Sequence, residues 1–172
     1  DVVDETNLNR QLLSLRSNIG EYKTDVAKMR ILDINPDCNV ITINKFIDST
    51  NYLELFSYNI DYVIDTCDTV TTKILLIEEC LNRNIKIISC MGTGNKFHPE
   101  MLEICELKKT SYDPLAKVIR NKFKNEKRKI MVVYSKEEGV KISDRTPGSS
   151  SLVPSCAGIL CASYVINDIR GE

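Results

Sequence analysis

Residues 62–91, YVIDTCDTVTTKILLIEECLNRNIKIISCM, decide the fold class. Tyr62-Val-Ile-Asp65 and Ile85-Lys-Ile-Ile-Ser-Cys-Met91 are short apolar runs rich in β-branched residues. Such runs mark strands buried on both faces of a parallel sheet. Between them, residues 71–83 carry an amphipathic helical repeat. Strand, helix and strand in that order make a βαβ unit.

The same alternation extends in both directions. Upstream, Val40-Ile-Thr-Ile43 alternates with period two and predicts a strand. Tyr22, Val26, Met29 and Ile34 recur at near-helical spacing after Gly20 and predict a helix. Downstream, Met101–Lys108 and Lys129–Tyr134 predict two further strands. Asp113-Pro-Leu-Ala opens a helix with an acidic cap and Pro in its first turn, turning Leu115, Val118, Ile119 and Phe123 inward. Pro154 starts a last helix with Ala157, Leu160, Tyr164 and Ile169 inward, and Cys156, Gly158, Ala162 and Ser163 small enough for close packing. Residues 135–151 are polar, contain Gly and Ser, and read as a mobile loop. The expected fold is α/β: one Rossmann-like domain over 1–172, its mainly parallel sheet flanked by helices and ending in a strand–helix extension.

Composition narrows the function classes. The 172 residues carry 23 basic and 24 acidic side chains, so the whole molecule has no strong electrostatic preference. No apolar run approaches the roughly 18 residues of a membrane span, and no transmembrane segment is expected. Seven cysteines without C-x-x-C spacing argue against a zinc ribbon or thioredoxin-like site. An odd count with no secretory leader in view points to a reducing, cytoplasmic setting. Charge is uneven, however: residues 106–130 hold nine cations and three carboxylates, a net +6 against −7 elsewhere. Lys117, Arg120, Lys124 and Lys127 fall at i, i+3, i+7 and i+10, a single basic stripe on a helix. Such a stripe is either a polyanion contact or a solvated face.

Several chemistries lack their motif. No G-x-G-x-x-G or Walker A is present, and Gly92 and Gly94 precede a predicted strand rather than a helix. The lone His98, before Pro99, reads as a turn residue. A better constellation is Asn7-Leu-Asn-Arg-Gln11, Lys23 and Asp65-Thr-Cys-Asp68, the last at the carboxyl end of a buried strand, where open α/β sheets bind ligands. Arg10 and Lys23 suit charge on phosphoryl oxygens, and Asp68 suits the magnesium of a triphosphate. Surface ion pairing accounts for the same residues equally well.

Asn7-Leu-Asn-Arg-Gln11, Lys23, Ile34-Asn-Pro36 and Ile64-Asp-Thr-Cys-Asp68 occur in order at intervals that resemble the adenylation signature of the ThiF/MoeB/HesA, ubiquitin-activating-enzyme-like superfamily. Met91-Gly-Thr-Gly-Asn-Lys96, Lys109-Thr-Ser-Tyr-Asp-Pro-Leu-Ala116, Arg120 and Val132-Val-Tyr-Ser-Lys-Glu137 resemble one branch, the tRNA threonylcarbamoyladenosine dehydratases. The resemblance implies ATP and Mg2+ as cofactors, tRNA as partner, a homodimer, and a sulfur-transfer or redox partner protein. It implies that a carboxylate of the modified nucleoside is adenylated, then closed into a ring by the modification's own nitrogen. It assigns Asn7, Arg10 and Gln11 to nucleotide contacts, Lys23 to phosphate charge, and Asp68 to magnesium with Thr69 beside it. Arg10, Lys23 and Asp68 would carry the catalysis, and Lys117, Arg120, Lys124 and Lys127 would contact tRNA.

The superfamily also has a glycine-rich phosphate loop and a ribose-binding acidic residue, both expected upstream of Asp1. The chain therefore reads as lacking an N-terminal βα unit and is expected to bind ATP poorly by itself. Some superfamily members pass the acyl group to a cysteine. Cys156, near the start of the last helix, is the candidate, with a small packing role as its alternative. Cys67, between Asp65 and Asp68, reads as structural because neighbouring carboxylates raise a thiol's pKa.

Two competing functions remain at this level. Adenylation of the C-terminus of a ubiquitin-like or sulfur-carrier protein uses the same ATP motifs. The absence of C-x-x-C pairs and the Lys-Thr-x-x-Asp-Pro-Leu-Ala segment favour tRNA over it. A noncatalytic binding or scaffold domain is the third reading, supported by the missing glycine loop.

Overall fold

The computed structural model describes residues 1–140 and 148–171. It separates into two compact units, Asp1–Phe46 and Ile47–Glu172.

The larger unit is built on a four-stranded sheet. Its strands are β1 (Tyr62–Asp65), β2 (Lys86–Cys90), β3 (Leu102–Glu106) and β4 (Met131–Ser135), in the spatial order β1-β2-β4-β3. β1, β2 and β4 run parallel, and β3 pairs antiparallel with β4, giving a mixed, mostly parallel sheet. The helix between β1 and β2, Val70–Arg83, buries Leu76, Ile77 and Cys80 on one stripe. It ends at Asn84, whose left-handed φ of 55° lets its N–H reach the carbonyls of Cys80 and Leu81. A second helix, Pro114–Lys122, starts from Asp113, whose carboxylate accepts from the Ala116 N–H at 2.8 Å. These two helices cover one face of the sheet around Ile119, Phe123, Ile130 and Val132.

The last helix, Leu152–Arg170, covers the other face through Ala157, Cys161 and Val165 against Ile88 and Val133. The helix has 19 residues and a mean hydropathy of 1.5 over its most apolar 18-residue stretch, long and apolar enough to cross a membrane by length and composition. The sequence hides this because Ser, Gly and Tyr interrupt the run while the average stays high. Its inward face also differs from expectation. Cys161 and Val165 are buried, whereas Ile169 is 70% exposed, because the sheet contact follows 153, 157, 161 and 165.

Two more inward assignments shift in the same way. In the helix Pro114–Lys122, Ala116 and Ile119 set the buried face, and Val118, one residue from Ile119, points outward. In the smaller unit, the helix Lys23–Ile34 forms as predicted, yet only Val26 of its repeat is buried.

Val40–Ile43 is not a strand: among the described residues it joins no ladder. Alternation prepares a segment for pairing, but a strand exists only where another backbone accepts and donates its hydrogen bonds. The predicted loop 135–151 is anchored to the core at its start. Ser135 ends β4 inside the core, and the buried Glu137 carboxylate accepts from the backbone N–H groups of Phe97 and His98 at 3.0 Å. Residues 141–147 of that loop lie outside the described residues.

Candidate active site

The smaller unit holds four of the predicted nucleotide residues. Asn7 is buried, and its Oδ1 accepts from the Asp4 N–H at 3.1 Å. Asp4 accepts in turn from the Thr6 N–H and hydroxyl, at 2.8 and 2.6 Å. Those bonds hold the Asp4 carboxyl below the usual carboxylate range. Asn7 thus closes a capping box that shapes the turn carrying Arg10. Arg10 is half-buried and donates to the carbonyl of Thr6 at 2.8 Å and to Asn9 Oδ1 at 3.0 Å. The Gln11 N–H is anchored to the Asn7 carbonyl at 3.0 Å. Lys23 opens its helix and pairs with the exposed Asp1 at 2.5 Å. An ion pair with an exposed partner is worth about 0–1 kcal/mol.

In the larger unit, the carboxyl ends of β1, β2 and β4 feed the loops 66–69, 91–98 and 136–140. Asp65, the last residue of β1, is buried with two separate duties. Its Oδ1 accepts from the Cys67 N–H at 3.1 Å, an Asx-type turn that bends the chain toward Asp68. Its Oδ2 accepts from Lys73 Nζ at 2.7 Å and from the Ser89 hydroxyl at 2.6 Å. Lys73 also donates to Ser89 Oγ and to the Cys90 carbonyl, at 3.2 and 2.9 Å. Every polar atom in this buried knot therefore has a partner, as burial demands.

Beyond the knot, Asp68 is exposed, and the Thr69 hydroxyl approaches its Oδ1 at 3.5 Å. Thr69 is the cap residue of the helix Val70–Arg83, so Asp68 stands at that helix's entrance. No group of three or more His, Cys, Asp or Glu side chains comes together among the described residues. A single carboxylate supplemented by phosphate oxygens and water is the donor set that suits magnesium.

The Lys73–Asp65–Ser89 knot is what sequence reading missed. The signal was present: Lys73 shares the i, i+3, i+4, i+7 stripe of Leu76, Ile77 and Cys80, a cation in a core position.

The thiols behave as structural groups. Burial first, and then the adjacent Asp65, pushes the Cys67 thiol up to about 12. Cys156 is half-buried in the fifth position of the last helix rather than at its cap. His98 caps a short turn and meets Glu100 at 2.8 Å, in keeping with the turn reading.

The basic stripe does not survive as a helical feature. The helix stops at Lys122, so Lys124 and Lys127 lie beyond its end. Arg120 is committed inward, donating to the Thr110 carbonyl at 2.8 Å and to its hydroxyl at 2.5 Å. Only Lys117 remains both helical and exposed.

The profile of the ThiF family matches residues 1–171. The chain belongs to the ThiF family. Within the family, it is 40% identical to the tRNA threonylcarbamoyladenosine dehydratase of Bacillus subtilis, across 98% of this chain and 74% of that protein. It is 34% identical to the enzyme of the same name from Escherichia coli, across 94% of this chain and 59% of that one. The crystal structure of the E. coli tRNA N6-threonylcarbamoyladenosine dehydratase TcdA in complex with ATP superposes with a TM-score of 0.92. That match has 32% identity and covers 99% of this chain and 73% of TcdA. The Rossmann-like reading and the assignment to the dehydratase branch both hold for this ThiF-family chain.

Proposed function

We propose that the protein carrying this ThiF domain catalyses the ATP-dependent cyclising dehydration of threonylcarbamoyladenosine in tRNA. The observation that carries the reading is 40% identity with a dehydratase of that name over nearly the whole chain. In the reaction, a carboxylate oxygen of the modification attacks the α-phosphorus of ATP and pyrophosphate leaves. The modification's own nitrogen then attacks the acyl carbon and gives up its proton, and AMP leaves with the carboxylate oxygen that had attacked phosphorus, the other oxygen staying as the carbonyl. The substrate loses the elements of one water, and ATP becomes AMP and pyrophosphate. No protein nucleophile is required, in keeping with a Cys67 thiol that stays protonated at neutral pH.

The residues divide by role. Arg10 and Lys23 carry positive charge for phosphoryl oxygens, where preorganised cations lower a barrier most. Asn7 and Gln11 support the turn that presents Arg10, and Asn7 does so through its capping box. Asp68, with Thr69 beside it, would hold Mg2+, which would supply charge neutralisation to the phosphates. The protein acts as a homodimer. The test is to incubate the protein, expressed from its own gene, with ATP and tRNA bearing the modification, and then to digest the RNA and weigh its nucleosides. Loss of one water at that nucleoside, dependent on ATP, supports the proposal. Adenylation of a carrier protein with the tRNA untouched would replace it.

A further inference from the structure

We infer that Lys109, Tyr112 and Lys117 form a surface that reads RNA, with the Tyr112 ring stacking on an unpaired nucleobase. The inference deepens the reading of the chain as a tRNA-modifying enzyme and rests on it for the identity of the polymer.

The segment 108–117 alternates buried anchors with exposed cations and a ring. Thr110 is buried: its hydroxyl donates to the Leu107 carbonyl at 2.7 Å, while Arg120 clamps its oxygens from the other side. Asp113 is buried as well. One oxygen caps the helix Pro114–Lys122, and the other accepts from Lys96 Nζ at 3.1 Å, itself bonded to the Gly92 carbonyl at 2.9 Å. A Cβ at position 92 would stand 3.2 Å from that carboxylate, so glycine is what allows the close approach. Between the two anchors Tyr112 is left 68% exposed.

Its backbone is unusual. Among the described residues, three non-glycine residues have positive φ, and two of them are asparagines, which tolerate the left-handed region. The third is Tyr112, at 53°. A bulky side chain pays for that conformation, and it persists only because Thr110 and Asp113 over-determine the turn. Packing does not explain the cost, since the ring lies outside the core.

The other exposed side chains of the segment point to the partner. The exposed side chains of this segment are Lys108, Lys109, Tyr112, Pro114 and Lys117, with no carboxylate among them. An exposed aromatic ring on an anchored turn, flanked in sequence by cations, suits single-stranded nucleic acid: the bases stack and the lysines meet phosphate. The inference also gives Arg120 a new task. It is a positioning residue for this turn, not an RNA contact.

The experiment measures tRNA binding by fluorescence anisotropy across a salt series, together with Tm and ATP-dependent water loss from the modified nucleoside. Tyr112→Gly should weaken binding about tenfold, with Tm unchanged or raised because glycine fits the left-handed turn. Tyr112→Phe keeps the ring and should bind within about twofold of the parent. Lys109→Glu with Lys117→Glu should flatten the salt slope by about 1–2. Unchanged affinity in Tyr112→Gly, equal loss in Tyr112→Phe, or an unchanged salt slope would each overturn the surface. If water loss proceeds while Tyr112→Gly binds normally, the surface fails and the reaction stands. If binding follows the expected pattern without water loss, the reaction fails and the surface stands.

Discussion

Lys73 and Asp65 form an ion pair at 2.7 Å in which neither side chain is exposed to solvent. Asp65 closes β1 and, through its other oxygen, bends the backbone that presents Asp68. The pair therefore ties the core of the larger unit to the residue proposed to hold magnesium. Breaking a buried pair strands a charge and costs about 3–5 kcal/mol, whereas removing both partners costs far less. Lys73→Met should lower stability by about 3 kcal/mol, read as a Tm drop of roughly 10 °C. Adding Asp65→Asn should restore part of that loss. A double variant no more stable than the single one would show that the pair is not the source of the effect.

Asp68 is expected to behave in the opposite way. It is exposed and belongs to no core contact, so Asp68→Ala should leave Tm within about 1 °C. ATP–pyrophosphate exchange stimulated by tRNA should fall about 100-fold. Loss of folding together with activity would move Asp68 from the chemistry to the scaffold.

Much of the larger unit was legible because its signals are local and redundant. β1, the following helix and β2 announce themselves by apolar runs and a helical repeat, and Asp113-Pro marks a helix start by its cap. What was not legible depends on partners distant in sequence. Val40–Ile43 has the right alternation but no pairing segment among the described residues. Arg120 looks like a surface cation until Thr110, ten residues earlier, is folded against it. Glu137 sits in a polar stretch, yet it is buried by the two N–H groups it accepts from, forty residues upstream. Lys73 shows its buried place by its position on the helical stripe, but its partners Asp65 and Ser89, 8 and 16 residues away, come beside it only in the folded chain.

Cys67 should be chemically quiet. Burial and Asp65 raise its thiol to about 12, so the thiolate is scarce at pH 8. Under native conditions, maleimide should label the exposed Cys38 well before Cys67, as mass spectrometry of tryptic peptides would record. Cys67→Ala should retain ATP-dependent water loss. Rapid labelling at Cys67, or loss of activity in that variant with the fold intact, would argue for a nucleophilic thiol.

His98 offers a pH handle. The hydrogen bond and charge of Glu100 raise its pKa above the ordinary 6.5, favouring the imidazolium in the folded state. A raised folded pKa means that the contribution to stability is fully present below the unfolded value and is lost as pH rises through the folded one. Because both side chains are exposed, the effect on stability is small, and the clearer measurement is the titration itself. Its ring protons, followed by NMR, should titrate above 6.5 and return toward that value in Glu100→Gln. An unchanged midpoint in the variant would contradict the pairing.

The central claim is the reaction, and nucleoside mass spectrometry tests it most directly. Protein expressed from its own gene, incubated with ATP, Mg2+ and tRNA bearing threonylcarbamoyladenosine, should convert that nucleoside to a product lighter by one water, with AMP and pyrophosphate formed in equal amount. Unchanged nucleoside mass in the presence of ATP, with the protein folded and tRNA bound, would contradict the account.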